Sequence, residues 1–306
     1  MSVILYSHDS AAAHATPAGH PEQVARHGAV MAGLEGLALE RRAAPVAEDA
    51  EVLRCHPAAY LQELRAAVPS DGVRQIDADT YLSPGGLEPA LRAVGGACAA
   101  VDAVLAGEAG AAFVAMRPPG HHAETATAMG FCLFGTVAIA AKRALDHHGL
   151  DRVAVLDFDV HHGNGTQDLL WDEGRALFVS SHQMPLYPGT GAASETGAQG
   201  QVLNLPLPPG SDGALAQAEW AGALRRMVAF APQLVIVSAG FDAHRDDPLA
   251  QLDWEDADFA ALTRAICAAA ADCGAAVVSC LEGGYDLAAL ERSVRAHVTV
   301  LLEATE

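Results

Sequence analysis

A repeated rhythm of strand and helix is what most restricts the fold. Apolar runs of strand length recur at VILYS (3–7), AAFVAM (111–116), VAVLDFD (153–159), ALFVSS (176–181), VLNLPL (202–207), LVIVSAG (234–240) and AAVVSCLEGG (275–284). Most are continuous rather than alternating, which suits strands covered on both faces, as in a parallel sheet. Ala- and Leu-rich stretches of helical length lie between several of them, at 88–106, 133–148, 213–231 and 255–273. The alternation predicts an α/β chain with a doubly wound, mostly parallel sheet flanked by helices. No internal repeat, low-complexity tract or Pro/Gly/Ser linker divides it, so residues 1–306 are expected to form a single domain.

Charge narrows the partners. A net charge of −20 argues against a broad electrostatic grip on nucleic acid, which needs clustered Lys and Arg, and steers cationic substrates or partners towards the chain. The opening MSVILYSHDS lacks a basic region and does not read as a signal peptide. No uncharged apolar stretch approaches the ~20 residues needed to cross a bilayer, so no membrane association is expected. Cysteines at 55, 98, 132, 267, 273 and 280 form no CxxC pair and sit mostly in apolar segments. They read as buried thiols in a reducing compartment, which makes a cytoplasmic location the expectation.

Polar clusters punctuate the strand ends. RPPGHHAE follows 111–116, DVHHGNG ends 153–159, GFDAHRDD follows LVIVSA, and EGGYD follows VVSCL. Ligands of open α/β sheets bind outside the carboxyl ends of the strands, so these four pieces should meet at one rim. In DFDVHHGNG, Asp157, Asp159 and His161 stand at every second position. On a strand they would share one face, and two carboxylates with an imidazole are costly to bury unless a cation lies among them. Asp159, His161 and Asp242 make a plausible set of three zinc ligands, leaving a position for water or substrate. Singly, either aspartate would serve as a cap or the start of a loop.

His121 and His122 follow a rigid Pro-Pro-Gly. One could act as general base while the other stays protonated, with Asp157 and Asn164 as the nearest partners for their second nitrogens. The pair His147 and His148, at the polar end of a helical stretch, reads as solvated surface. Tyr285 follows two glycines and could donate to a developing oxyanion, although a lone Tyr in such a place is commonly a packing residue. Phe131 and Tyr187, each beside glycine, could wall an apolar slot.

Taken together, GHPEQVAR, DADTYLSPGG, RPPGHHAE, MGFCLF, DFDVHHGNGTQD, YPGTG, SAGFDAHRDDPL and LEGGYDLAAL give a chain that resembles the histone deacetylase family over nearly its whole length. It is most similar to class II members and to bacterial deacetylase-like and acetylpolyamine amidohydrolases. The resemblance implies the arginase-deacetylase fold. It implies zinc held by Asp159, His161 and Asp242, with His122 as base and then acid. His121, paired to Asp157, would stabilise charge, Tyr285 would polarise the substrate carbonyl, and Gly130, Phe131 and Tyr187 would line a tunnel. It also implies potassium at positions matching Asp157, Asp159, His161, Ser180 and Ser181, so that the alternating acidic residues would lie between two cations.

Asn164 matches the class II pattern, where class I members carry aspartate, and would give His122 a neutral partner. Leu249 falls where a polyamine-specific relative carries glutamate. Gly135 stands where the family usually has Asn, a departure that bears on the local turn and not on the metal site. The activity so implied is zinc-dependent removal of acyl groups from acyl-lysine-type amines, with hydroxamates as inhibitors; an oligomer is compatible with it. Alternatives are an acetylpolyamine or other small-amide deacetylase, an acyl-binding module without turnover, and a binuclear hydrolase of the arginase type. The last would need further Asp/His ligands where this chain has Asn164 and glycines.

Overall fold

Strands that are apolar throughout need cover on both sides, and the structure supplies it. It is a computed structural model describing residues 2–306. In chain order the elements are β1 (Val3–Ser7), α1 (Ala25–Gly33), β2 (Glu40–Ala43), α2 (Asp49–Val52), α3 (Ala58–Ala67), β3 (Arg74–Gln75), β4 (Tyr81–Leu82), α4 (Leu87–Leu105), β5 (Ala111–Val114) and α5 (Thr136–Asp146). There follow β6 (Val153–Asp157), α6 (Asn164–Leu169), β7 (Ala176–Gln183), β8 (Val202–Leu207), α7 (Gly213–Phe230), β9 (Leu234–Ala239), α8 (Asp256–Asp272), β10 (Ala276–Leu281) and α9 (Leu287–Thr305). Eight strands form one sheet in the order β2-β1-β5-β10-β9-β6-β7-β8, with every neighbouring pair parallel.

Strand alternation divides the core in two. Ile4, Val114, Val155, Phe178, Ile236 and Cys280 face a cluster with α4 and α5, while Leu5, Phe113, Leu156, Val179, Val237 and Val277 face one with α7, α8 and α9. Both faces are therefore dry, and the strands read as unbroken apolar runs for that reason. The six cysteines are unpaired, five of them buried. Among the described residues no helix is long and apolar enough to cross a membrane.

The four helical stretches read from sequence correspond to α4, α5, α7 and α8, and Asp212 and Glu255 cap the last two. Helices α1, α3 and α9 and the hairpin β3–β4 are not anticipated, nor is edge strand β2, whose residues ERRA carry no apolar signal. Gly135 lies at the start of α5 without disturbing it. A Cβ there would collide with Leu169, so the missing side chain leaves room for a residue of α6.

Candidate active site

The polar clusters do meet at the carboxyl rim of the sheet, though one step of the local reasoning fails. Strand β6 ends at Asp157, so Asp157, Asp159 and His161 do not share a strand face. What continues their convergence is side-chain bonding to the backbone. Asp157 Oδ1 accepts the Asp159 N–H at 3.1 Å, and Asp159 Oδ1 accepts the His161 N–H at 2.9 Å. Phe158 and Val160, between them, stay in the core.

Asp159, His161 and Asp242 bring their ligating atoms within 4.8 Å of one another, and all three are buried. Asp159 Oδ2 accepts the Gly283 N–H at 2.8 Å, and Asp242 Oδ1 accepts the Val160 N–H at 2.9 Å. Asp242 Oδ2 lies 3.2 Å from His161 Nδ1, yet that nitrogen bonds Asp159 Oδ1 at 3.1 Å and leaves Asp242 Oδ2 without a hydrogen-bond partner. An orphaned carboxylate oxygen in the dry interior needs a positive charge. The electrostatics of the imidazole agree: burial disfavours its charged form, but Asp159 and Asp242 outweigh burial and raise His161 to about 10. A bound cation would compete with that proton. Two carboxylates and an imidazole suit zinc, and the cluster can hold a metal. Gly283 makes room for it, because a Cβ there would run into both carboxylates.

The two histidines sit with ring centroids 4.0 Å apart in different surroundings. His121 Nδ1 lies 3.0 Å from Asp157 Oδ2 and its Nε2 lies 3.7 Å from Asp159 Oδ1. Against the penalty of burial, Asp159 and Asp157 hold its pKa well above the ordinary imidazole value. His122 Nδ1 instead meets Asn164 Oδ1 at 2.7 Å. Burial, together with the positive charge of His121 and His161, drives its pKa well below the ordinary value. One imidazole therefore favours the cation and its neighbour the neutral base.

His122, His161 and Tyr285 line a cavity of about 210 Å³ with Asp79, Gly130, Phe131, Leu186, Tyr187 and Leu249. Every tunnel residue anticipated from sequence is in that set. His121 is not, since it lies beneath His122. Gly130 takes a positive φ of 55°, and a Cβ on it would strike the His122 ring. Burial pushes the Tyr285 phenol well above its usual pKa, so it stays protonated, and its hydroxyl makes no hydrogen bond to the described residues. Tyr187 stands edge-on to His122 at 5.2 Å, and Phe131 edge-on to Tyr285 at 5.7 Å. Ser180 lies beside Asp157 across the β6–β7 ladder, and Ser181 Oγ accepts from Trp220 Nε1 at 3.0 Å. His147 and His148 are exposed. A wider surface hollow of about 530 Å³ between α3 and β3 contains none of these groups.

Several residues that hold the site were not singled out from sequence. Glu282 accepts the N–H groups of Gly120 and His121 at 2.6 and 3.1 Å, fixing the histidine loop from below. Asp247 accepts from Leu249 at 3.0 Å and from Tyr285 at 2.7 Å, joining the two walls. Arg26 donates to the Gly284 carbonyl at 2.7 Å and lies 4.8 Å from the Tyr285 ring centre. Glu22 joins Arg26 to Arg117, and all three are fully buried. The available signal was a charge embedded in an apolar run, as in VAMRPPG and VVSCLEGG, because a buried charge must have partners.

Comparison with known proteins agrees with this geometry. Residues 20–301 match the histone deacetylase domain family. The histone deacetylase-like amidohydrolase of Pseudomonas aeruginosa is 41% identical over 278 residues, covering 88% of this chain and 73% of that protein. A probable deacetylase of Archaeoglobus fulgidus is 40% identical over 242 residues, covering 78% of this chain and 67% of its own. The crystal structure of the HDA15 HD domain superposes with a TM-score of 0.93 at 31% identity, covering 99% of this chain and 89% of that one.

Proposed function

This chain belongs to the histone deacetylase family and is a deacetylase or amidohydrolase, and from that premise we propose that it is a zinc-dependent hydrolase of acyl-lysine-type amides. The observation that carries the proposal is the convergence of Asp159, His161 and Asp242 beneath a cavity lined by His122 and Tyr285. Zinc held by those three residues would supply a Lewis acid for the acyl carbonyl and a more acidic water, with a pKa near ~7. Potassium is part of the proposal, near Asp157 and Ser180, which stand opposite each other across the β6–β7 ladder, with Asp159, His161 and Ser181 completing the set.

The protein groups divide the remaining work. The low pKa of His122 leaves it neutral, able to take a proton from the attacking water and return it to the departing amine nitrogen. Its basicity is modest, and the positive charge of His121, held by Asp157, favours the negative charge that develops on the acyl group. Tyr285 donates its phenolic hydrogen to the carbonyl oxygen. Phe131, Tyr187, Gly130 and Leu249 exclude water from the acyl chain. Amine and carboxylate are the products. The whole chain, 1–306, acts as one catalytic domain in this scheme, supported by a site assembled from residues 79 to 285.

A second reading, a deacetylase of acetylated polyamines, is favoured by Asp79 at the cavity and by the net charge of −20, both suited to an amine with a further positive charge. Turnover by zinc-loaded protein of an acetyl-lysine peptide, an acetylated polyamine and a trifluoroacetyl-lysine reporter, each with and without a hydroxamate, tests both. Hydroxamate-sensitive cleavage of the peptide supports the first and of the polyamine the second. No cleavage of any of the three by protein with zinc bound would overturn both in favour of an acyl-binding module.

A further inference from the structure

We propose that Glu124 is a positioning residue for His122, acting through the side-chain amide of Asn164. The inference rests on the reading of His122 as the proton acceptor. Asn164 Nδ2 lies 2.8 Å from Glu124 Oε1, 3.4 Å from the His122 carbonyl oxygen and 3.4 Å from Met129 Sδ. A carboxylate, a carbonyl and a thioether accept hydrogen bonds and cannot donate them, so the NH₂ end of the amide must face them. The oxygen end therefore faces His122 Nδ1, at 2.7 Å. An amide oxygen also only accepts, which obliges Nδ1 to carry the hydrogen. In the neutral ring the lone pair is then confined to Nε2, which has no hydrogen-bond partner among the described residues.

Glu124 is held well enough to do this. Its N–H and carbonyl pair with Thr127 at 3.0 and 3.4 Å, closing a tight hairpin. The next residue, Thr125, bonds Asp168 Oδ2 through both its N–H and its hydroxyl, at 2.8 and 2.7 Å. Asp168 and Asn164 lie on the same short helix, α6, so hairpin and amide are tied to one element. A carboxylate acceptor makes a stronger bond than a neutral one and polarises the amide beyond it. His121 is oriented by a carboxylate directly; His122 is oriented by one at the far side of an amide.

The test uses the zinc-loaded full chain with Glu124→Ala, Glu124→Gln and His122→Ala, assayed on the trifluoroacetyl-lysine reporter. Side-chain ¹⁵N–¹H correlation spectra of His122 are recorded for wild type and the Glu124 variants. Glu124→Ala should lower kcat about 10-fold while KM stays within about twofold, and should add the Nε2–H tautomer to a spectrum that in wild type is Nδ1–H. Glu124→Gln should recover most of the loss, since its carbonyl still accepts from Asn164. An unchanged kcat and an unchanged tautomer in Glu124→Ala, with His122→Ala inactive, would overturn the role of Glu124 and leave that of His122 standing. A loss that Gln fails to restore, or that appears mainly in KM, would also overturn it. Full turnover in His122→Ala would remove the underlying assignment of His122 itself.

Discussion

At the bottom of the cavity Asp157, Asp159 and Asp242 are 0% exposed, and almost every oxygen is met by a backbone N–H or an imidazole; at the mouth Tyr187 is 37% exposed and Phe131 and Leu249 are half-buried. The two regions are only one side chain apart. The bottom is built just beyond parallel strand ends, where aspartate-to-backbone hydrogen bonds fix the turns, and from buried charges that tolerate little displacement. The mouth is built from loops carrying aromatic side chains, whose contacts are apolar and adjustable. Substitutions at the bottom should therefore change metal binding and kcat, while substitutions at the mouth should change KM.

The largest effect is expected at the orphaned carboxylate. Asp242→Ala should lose bound zinc and lower kcat/KM by at least about 10³-fold, since the several kcal/mol that a metal contributes convert at tenfold per ~1.4 kcal/mol. Metal analysis alongside kinetics checks both halves, and a variant that keeps its zinc and its rate would break the contrast. Tyr285→Phe should keep the metal and the ring packing but lose the hydrogen-bond donor. A fall of about 10²–10³-fold in kcat with little change in KM is expected.

Beneath the bottom, Glu22 sharpens the comparison through stability. Burial opposes its ionisation, but Arg117 and Arg26 hold its pKa below the ordinary glutamate value. Glu22→Gln should destabilise the fold by about 3–5 kcal/mol at pH 7, as expected for a broken buried pair. Because the folded pKa is depressed, the stabilisation is present above the unfolded glutamate value of ~4.3 and is lost as pH falls through the lower, folded one. Denaturant melts of both proteins should accordingly converge as pH is lowered through that window, and a gap that widens would contradict the ion-pair account. The smallest effect belongs to the mouth: Phe131→Ala or Tyr187→Ala should raise KM about 10-fold while kcat changes little, measured on the same acyl-lysine reporter.

The same division governs what could be read from sequence. Asp159, His161 and Asp242 were legible because buried carboxylates beside an imidazole are improbable without a cation, and the site could be put at one rim because continuous apolar runs imply a parallel sheet. The mechanism of convergence was misread, since strand periodicity carries no information on where β6 stops and aspartate-to-backbone bonds take over. Glu282, Asp247, Glu22, Arg26 and Arg117 were overlooked because most of their partners are backbone groups or lie far along the chain, 258 residues apart for Arg26 and Gly284 and 95 for Arg117 and Glu22, while only the Glu22–Arg26 pair, four residues apart, follows a local pattern. Helix α9, directly after the Tyr285 loop, opens on the same kind of cap as α7, with Asp286 accepting from Ala289 at 2.8 Å, but its segment ERSVRAHVTV (291–300) lacks the Ala and Leu richness that marked the other helices.

Metal content and turnover, measured on the same samples through chelation and stepwise return of zinc, bear most directly on the central claim. Turnover should fall in proportion to zinc removed and return in full at one equivalent per chain, with Asp242→Ala unable to recover. Undiminished turnover by metal-free protein, or recovery that requires two equivalents, would contradict a catalytic centre built on Asp159, His161 and Asp242.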